Sequence, residues 1–143
     1  MERSIPKSSI SSEAARVALD AALAEAKQVG KAFVIAITDA SGALKTLHHM
    51  DGAPYMSAQV AIDKAYTAGS FGRSTEAWDG AIENDGPLAR GARSGIHRLV
   101  TFGGGIAIKD GGIIGAVGVS GGHYSEDIEV AEAAIRAIGL DPA

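Results

Sequence analysis

The chain has no cysteine among its 143 residues. Disulfide bonds, thiolate nucleophiles, iron–sulfur clusters and thiolate-ligated zinc are therefore excluded. It also lacks any run of about 18 apolar residues that would span a membrane, and its first residues lack the long apolar core of a signal peptide. We therefore expect a soluble, cytoplasmic protein that has no membrane partner.

Basic residues are fewer than acidic residues in this chain. Thirteen Lys and Arg against seventeen Asp and Glu give a formal net charge of −4. The broad basic surface of a nucleic-acid-binding protein is absent, and we expect no nucleic-acid partner. No His-x-x-x-His or His-Glu-x-x-His pattern occurs, so nothing in the chain indicates a ready-made zinc site.

Glycine is abundant instead, with 19 residues that lie mostly after Gly69. Hydrophobic residues make up 46% of the chain, which is enough for a core. Apolar periodicity predicts helices over 11–29, 54–69 and 125–138, a shorter helix from Ser74 or Thr75, and strands over 33–38, 43–50 and 97–102 with a hairpin over 106–120. The segment 88–96 is interpreted as irregular and basic. Tight turns between strands favour antiparallel pairing, so we predict an α/β (α+β) fold in which helices flank an antiparallel sheet of about five strands.

The most informative stretch is the end of that hairpin, where Gly121 and Gly122 lead into His123. Ser125 is the predicted N-cap of the last helix. Glycines allow a backbone to approach a ligand closely, and a helix N-terminus favours a carboxylate or phosphate. In the alternative interpretation, the two glycines only turn the chain from strand to helix.

Several short motifs together resemble the GlcG/HbpS family of haem-binding and haem-degrading-like domains, which includes the C-terminal domain of PduO-type proteins. They are Asp39-Ala-Ser-Gly-Ala-Leu, Met50-Asp-Gly-Ala, Lys64-Ala-Tyr-Thr-Ala, Gly104-Gly-Ile, Asp110-Gly and Gly115-Ala-Val-Gly-Val-Ser-Gly. The resemblance implies a single domain over 1–143 with its core at about 10–139, and a profilin-like three-layer α/β/α fold. It also implies a homo-oligomer, from dimer to octamer, and haem or a related tetrapyrrole as cofactor. His49 stands where arginine is common and Ala107 where proline is usual, which leaves the ligand's identity open.

Two adjacent histidines, His48 and His49, are predicted to point to opposite faces of a strand. Either of them, or His123, is a candidate haem axial ligand or general base, and the catalytic candidates are His49 and His123. Asp51 would cap the helix that begins near Pro54, or would serve catalysis by orienting a histidine or acting as a base itself.

Other polar groups are candidates for holding an anionic or planar ligand. Lys64 would hold a carboxylate or pair with a buried aspartate, and would otherwise lie at the edge of an apolar face. Arginines of the second half would bind carboxylates, or remain solvated or bridge subunits. The remaining ligand-binding candidates are Arg73, Arg93, Gly104, Gly105, Ser120, Gly121 and Tyr124.

These residues support three functional hypotheses. The first is a small-molecule binding protein for haem or another flat, acidic ligand, held between subunits in a dry recess where His49 and His123 converge. The second is an isomerase, hydratase or lyase in which His49, Asp51 and His123 move protons on a carbonyl or carboxylate substrate. The third is a structural subunit whose alanine-rich helix over 54–69 is mostly interface.

Overall fold

The computed structural model describes residues 1–143 and contains five helices and four strands. In chain order these are α1 (Ser12–Val29), β1 (Val34–Asp39), β2 (Leu44–His49), α2 (Met56–Phe71), α3 (Thr75–Glu83), α4 (Gly86–Gly95), β3 (Gly105–Lys109), β4 (Ile113–Ser120) and α5 (Tyr124–Ala137).

The four strands form one antiparallel sheet in the order β2-β1-β4-β3. Helices α1 and α5 pack against each other on one face of the sheet, and α2 covers the other face. The arrangement therefore has three layers, as the sequence predicts for an α+β fold with helices flanking the sheet.

The two faces of the sheet differ in the size of the side chains they bury. Toward α1 and α5, the strands contribute large residues such as Ile35, Ile37 and Val119 to a core of 17 buried residues. Toward α2 the contacts are small, and a side chain on Gly118 of β4 would overlap the Ala61 carbonyl oxygen. The backbone of α2 therefore lies directly on the sheet because glycine and alanine line the contact.

The prediction of a fifth strand over 97–102 is wrong, because this segment is a loop. Arg98 has a φ of 64°, which does not fit an extended strand. The Thr67 hydroxyl donates to the Arg98 carbonyl oxygen at 3.0 Å and accepts from the Val100 N–H at 3.1 Å. A side chain of α2 therefore satisfies the backbone groups that a neighbouring strand would have bonded.

Two further predictions about helix ends and loops are also corrected. The segment 88–96 is not irregular, because most of it lies in α4, where the Asp85 side chain caps the N-terminus through the Leu88 N–H at 3.1 Å. The N-cap of α5 is His123 and not Ser125. In contrast, α1 follows the predicted bounds, with Ser11 as N-cap and Gly30 in the left-handed conformation after its end.

Candidate functional site

A buried ion pair lies where the closing hairpin meets α5. Lys64, in the middle of α2, is 0% exposed. Its Nζ donates to the Val119 carbonyl oxygen at 2.8 Å and to Asp127 Oδ2 at 2.9 Å. Asp127 belongs to the first turn of α5, which lies on the other face of the sheet from α2. The lysine therefore joins the two outer layers of the fold.

Asp127 extends this connection to the glycine pair. Its Oδ1 accepts a hydrogen bond from the Gly122 N–H at 3.1 Å while Oδ2 holds Lys64. Burial lowers the pKa of Lys64 and raises the pKa of Asp127, and the attraction between the two groups opposes both shifts. The interior at this junction is therefore filled by an ion pair that the protein itself provides.

The glycines predicted to contact a ligand mostly contact other parts of the chain. A Cβ on Gly104 would lie 2.7 Å from Lys64 Nζ, and one on Gly121 would lie 2.6 Å from the Ala32 carbonyl oxygen. One on Gly105 would overlap the carbonyl oxygen of Lys64. Gly104 and Gly105 also line a cavity of about 270 Å³ between β3 and α5. The missing side chain of Gly104 lets Lys64 reach α5.

His48, His49 and Asp51 lie together at the end of β2. They are exposed and line an open recess of about 440 Å³ with Leu23, Lys27 and Met50. His48 pairs with Ile35, which belongs to the core toward α1 and α5, whereas His49 pairs with Val34, which packs toward α2. His49 Nε2 lies 2.8 Å from the Ala53 carbonyl oxygen, and the His48 imidazole makes no hydrogen bond.

His123 lies at a different place and has a structural role in capping α5. Its Nδ1 is 2.8 Å from Ser125 Oγ, and its backbone N–H donates to Glu126 Oε1 at 2.8 Å. Lys31 Nζ donates to the same Glu126 oxygen at 2.7 Å and lowers the pKa of that carboxyl group. The side chain of His123 is exposed.

Within the single chain, His49 and His123 do not share the predicted dry recess, and a recess that forms between subunits of an oligomer stays a prediction. Both imidazoles are exposed, and His123 does not line the recess that contains His49. Asp51 makes no hydrogen bond to either histidine, and His49 instead contacts Ala53. The chain therefore does not bring His49, Asp51 and His123 into contact as an acid–base group.

Arg93 and Tyr124 come together in a second open recess of about 430 Å³. The other lining residues are Glu76, Asp79, Thr101, Phe102 and Gly103. Arg73 and Ser120 line neither recess. The Arg73 guanidinium lies 5.3 Å from the centre of the Trp78 ring, and Ser120 is buried at the end of β4.

A second polar cluster was also missed by the sequence analysis. Asp63 of α2 accepts from Gln59 at 2.6 Å and from Arg98 Nε at 2.8 Å, and the Arg98 guanidinium lies 3.8 Å from the centre of the Tyr66 ring. These contacts hold the loop that follows α4 against α2. The spacing of Gln59, Asp63 and Tyr66 on one helix face was the available signal, but the sequence did not place Arg98 beside it.

No three His, Cys, Asp or Glu side chains are grouped so that they could hold a metal ion. None of the five helices has both the length and the apolar character of a membrane span.

The fold and the buried junction define a three-layer domain in which an antiparallel sheet lies between helices and a lysine–aspartate pair connects the layers. Within this class, residues 10–136 match the family described as "Haem degrading protein HbpS-like". The chain belongs to this family, as its sequence motifs predicted.

Three known proteins illustrate the similarity. Corrinoid adenosyltransferase PduO of Citrobacter freundii is 34% identical over 122 residues, which cover 84% of this chain and 36% of PduO. The chain thus spans about a third of the length of that relative. The crystal structure of Klebsiella pneumoniae ORFY has a TM-score of 0.91 at 28% identity and covers 99% of both chains. The crystal structure of PduOC in complex with haem has a TM-score of 0.83 at 29% identity, with coverage of 94% of this chain and 98% of PduOC.

Proposed function

We propose that this protein binds haem or a closely related tetrapyrrole. The observation that carries the proposal is the haem complex of PduOC, which shares the fold over 94% of this chain. Membership of the HbpS-like family supports the same ligand class. The adenosyltransferase activity named for PduO belongs to a protein more than twice as long and is not part of the proposal.

We assign the haem to the recess at the end of β2, with His48 as the axial ligand. A neutral imidazole nitrogen is a common protein ligand of haem iron. His48 is exposed in this recess and makes no hydrogen bond, whereas ring nitrogens of His49 and His123 contact Ala53 and Ser125. Coordination by His48 would therefore break no existing contact.

The other residues of the recess suit the porphyrin. Leu23 and Met50 offer apolar contact to the ring, and Lys27 of α1 offers a cation to a propionate. Bound haem would supply an iron centre for redox or oxygen chemistry. The chain's own residues would hold the ring, orient the iron toward the imidazole and neutralise one propionate.

The test is a hemin titration followed by the Soret band. We expect a shifted, saturable band for the wild type, a loss of at least about tenfold in affinity for His48→Ala, and little change for His97→Ala. His97 is a matched control because it is exposed, makes no hydrogen bond and lies in another recess, beside Phe71 and Leu99. A flat wild-type titration would overturn the proposal, and equal affinities of the two variants would overturn the assignment of His48.

The enzyme hypothesis is not favoured by any contact of the structure. A general base is expected to be oriented by a hydrogen bond, and Asp51 gives none to His48 or His49. We therefore keep one proposed function, and the His49→Ala and His123→Ala variants serve as further controls in the hemin titration.

A further inference from the structure

The recess that contains Arg93 and Tyr124 differs from the haem recess in its charge. Glu76 and Asp79 of α3 line it together with Arg93 of α4, and none of the three takes part in an ion pair within the chain. Two carboxylates against one guanidinium would repel a dianion such as haem. The net negative charge of the recess therefore favours a ligand that carries a positive group.

Two aromatic rings in the same recess each contact a neighbouring side chain and remain partly exposed to solvent. Phe102 is 52% exposed, and its ring centre lies 4.9 Å from the buried Lys64 Nζ. Tyr124 is 47% exposed, and its ring centre lies 4.4 Å from that of His123. Both rings are therefore positioned by protein contacts before any ligand arrives.

Gly103 also lines this recess. A Cβ at this position would lie 2.6 Å from Ile128 Cδ1 and 3.3 Å from Tyr124 Cδ2. Because Gly103 has no side chain, its loop packs closely against the start of α5. Phe102 and Tyr124 therefore line the same recess.

Exposed aromatic faces next to carboxylates form the usual environment for an organic ammonium group, because the ring quadrupole and the acids both attract the cation. The Arg93 guanidinium is suited to a carboxylate. A ligand with both groups would neutralise both sets of charges.

From this juxtaposition we propose that the recess lined by Glu76, Asp79, Arg93, Phe102 and Tyr124 binds a small zwitterion with an ammonium and a carboxylate group. The ammonium lies against the two rings and the two acids, and the carboxylate lies against Arg93. This site goes beyond the proposed haem function and does not depend on it, because the two recesses share no residue.

The test is calorimetric titration of the full chain with glycine betaine and, separately, with choline, which has the ammonium but no carboxylate. We expect saturable binding of glycine betaine that weakens about tenfold in Glu76→Gln. Arg93→Gln should weaken glycine betaine binding without weakening choline binding, whereas Phe102→Leu should weaken the binding of both.

Glu13→Gln is the matched control, because Glu13 is an exposed acid in the first turn of α1 as Glu76 is in the first turn of α3. It should bind glycine betaine as the wild type does. Absence of saturable glycine betaine binding would overturn the proposal. So would an equal loss in Glu13→Gln and Glu76→Gln, or an Arg93→Gln variant that binds both probes like the wild type.

Discussion

At the scale of single residues, the buried pair of Lys64 and Asp127 decides what occupies the junction between the hairpin and α5. Two charges removed from water are tolerated only when their hydrogen bonds are satisfied. Val119 and Gly122 supply the additional bonds. The sequence allowed Lys64 to pair with a buried aspartate, but the partner is 63 residues away, and local spacing cannot identify so distant a contact.

Asp127→Asn should destabilise the protein by about 3–5 kcal/mol, because it leaves the ammonium of Lys64 buried without its counter-charge. Urea unfolding at neutral pH measures this loss. Arg136→Gln is the control, since it breaks an exposed ion pair with Glu132 and should cost less than about 1 kcal/mol. Equal losses of stability in the two variants would contradict the larger contribution assigned to the buried pair.

Glu126 provides a pH-dependent prediction. The hydrogen bond from Lys31 holds the pKa of Glu126 below its ordinary value of 4.5. A carboxylate with a lowered pKa in the folded state stabilises the fold above the pKa of the unfolded chain, and this contribution disappears as the pH falls through the folded value. Glu126→Gln should therefore reduce the free energy of unfolding at pH 7 and differ less from the wild type near pH 3.

The measurement is urea unfolding at both pH values, with Glu129→Gln as the matched control. Glu129 lies on the same helix, is exposed and has no ion-pair partner. The role given to Lys31 is wrong if Glu126→Gln lowers the stability equally at pH 7 and pH 3.

At the scale of elements, the sequence predicted those parts of the fold that local patterns specify. The apolar spacing and caps of α1, and the apolar runs and turn residues of the two hairpins, are local signals. The segment 97–102 is apolar enough for a strand, but Thr67 and Asp63 of α2 bind it in a loop. The sequence of α4 gives only a weak helical signal because it contains several glycines, and glycine is a weak helix former.

The close contact between α2 and β4 predicts that a larger residue at Gly118 lowers the stability of the protein. Gly118→Ala should destabilise the protein by about 1–3 kcal/mol, because its Cβ would overlap the backbone of α2 at Ala61. Gly80→Ala in α3 is the matched control, since no atom lies within 4 Å of its added Cβ and alanine favours a helix. Thermal unfolding should show a lower Tm for the first variant and an equal or higher Tm for the second. The reverse order would contradict this packing.

At the scale of the whole molecule, the chain leaves its recesses open and some large apolar side chains exposed. Tyr55 is 88% exposed and Met56 is 71% exposed, next to each other at the start of α2. Soluble monomers rarely leave such side chains grouped on the surface without a partner. We propose that a second copy of the chain covers this patch, which would give the homo-oligomer that the sequence motifs imply.

Native mass spectrometry tests this assembly. We expect a multiple of the 14.5 kDa chain mass for the wild type and a shift toward the monomer for Met56→Lys. Val17→Lys is the control, because Val17 is an exposed apolar residue of α1, which lies on the other face of the sheet from α2. A monomeric wild type, or equal dissociation by both variants, would contradict the proposed contact.

The most direct test of the central proposal is the crystal structure of the protein loaded with hemin. We predict haem in the recess between α1 and the end of β2, its iron bonded to an imidazole nitrogen of His48 and a propionate beside Lys27. Haem bound elsewhere, with the His48 imidazole free of iron, would contradict the account.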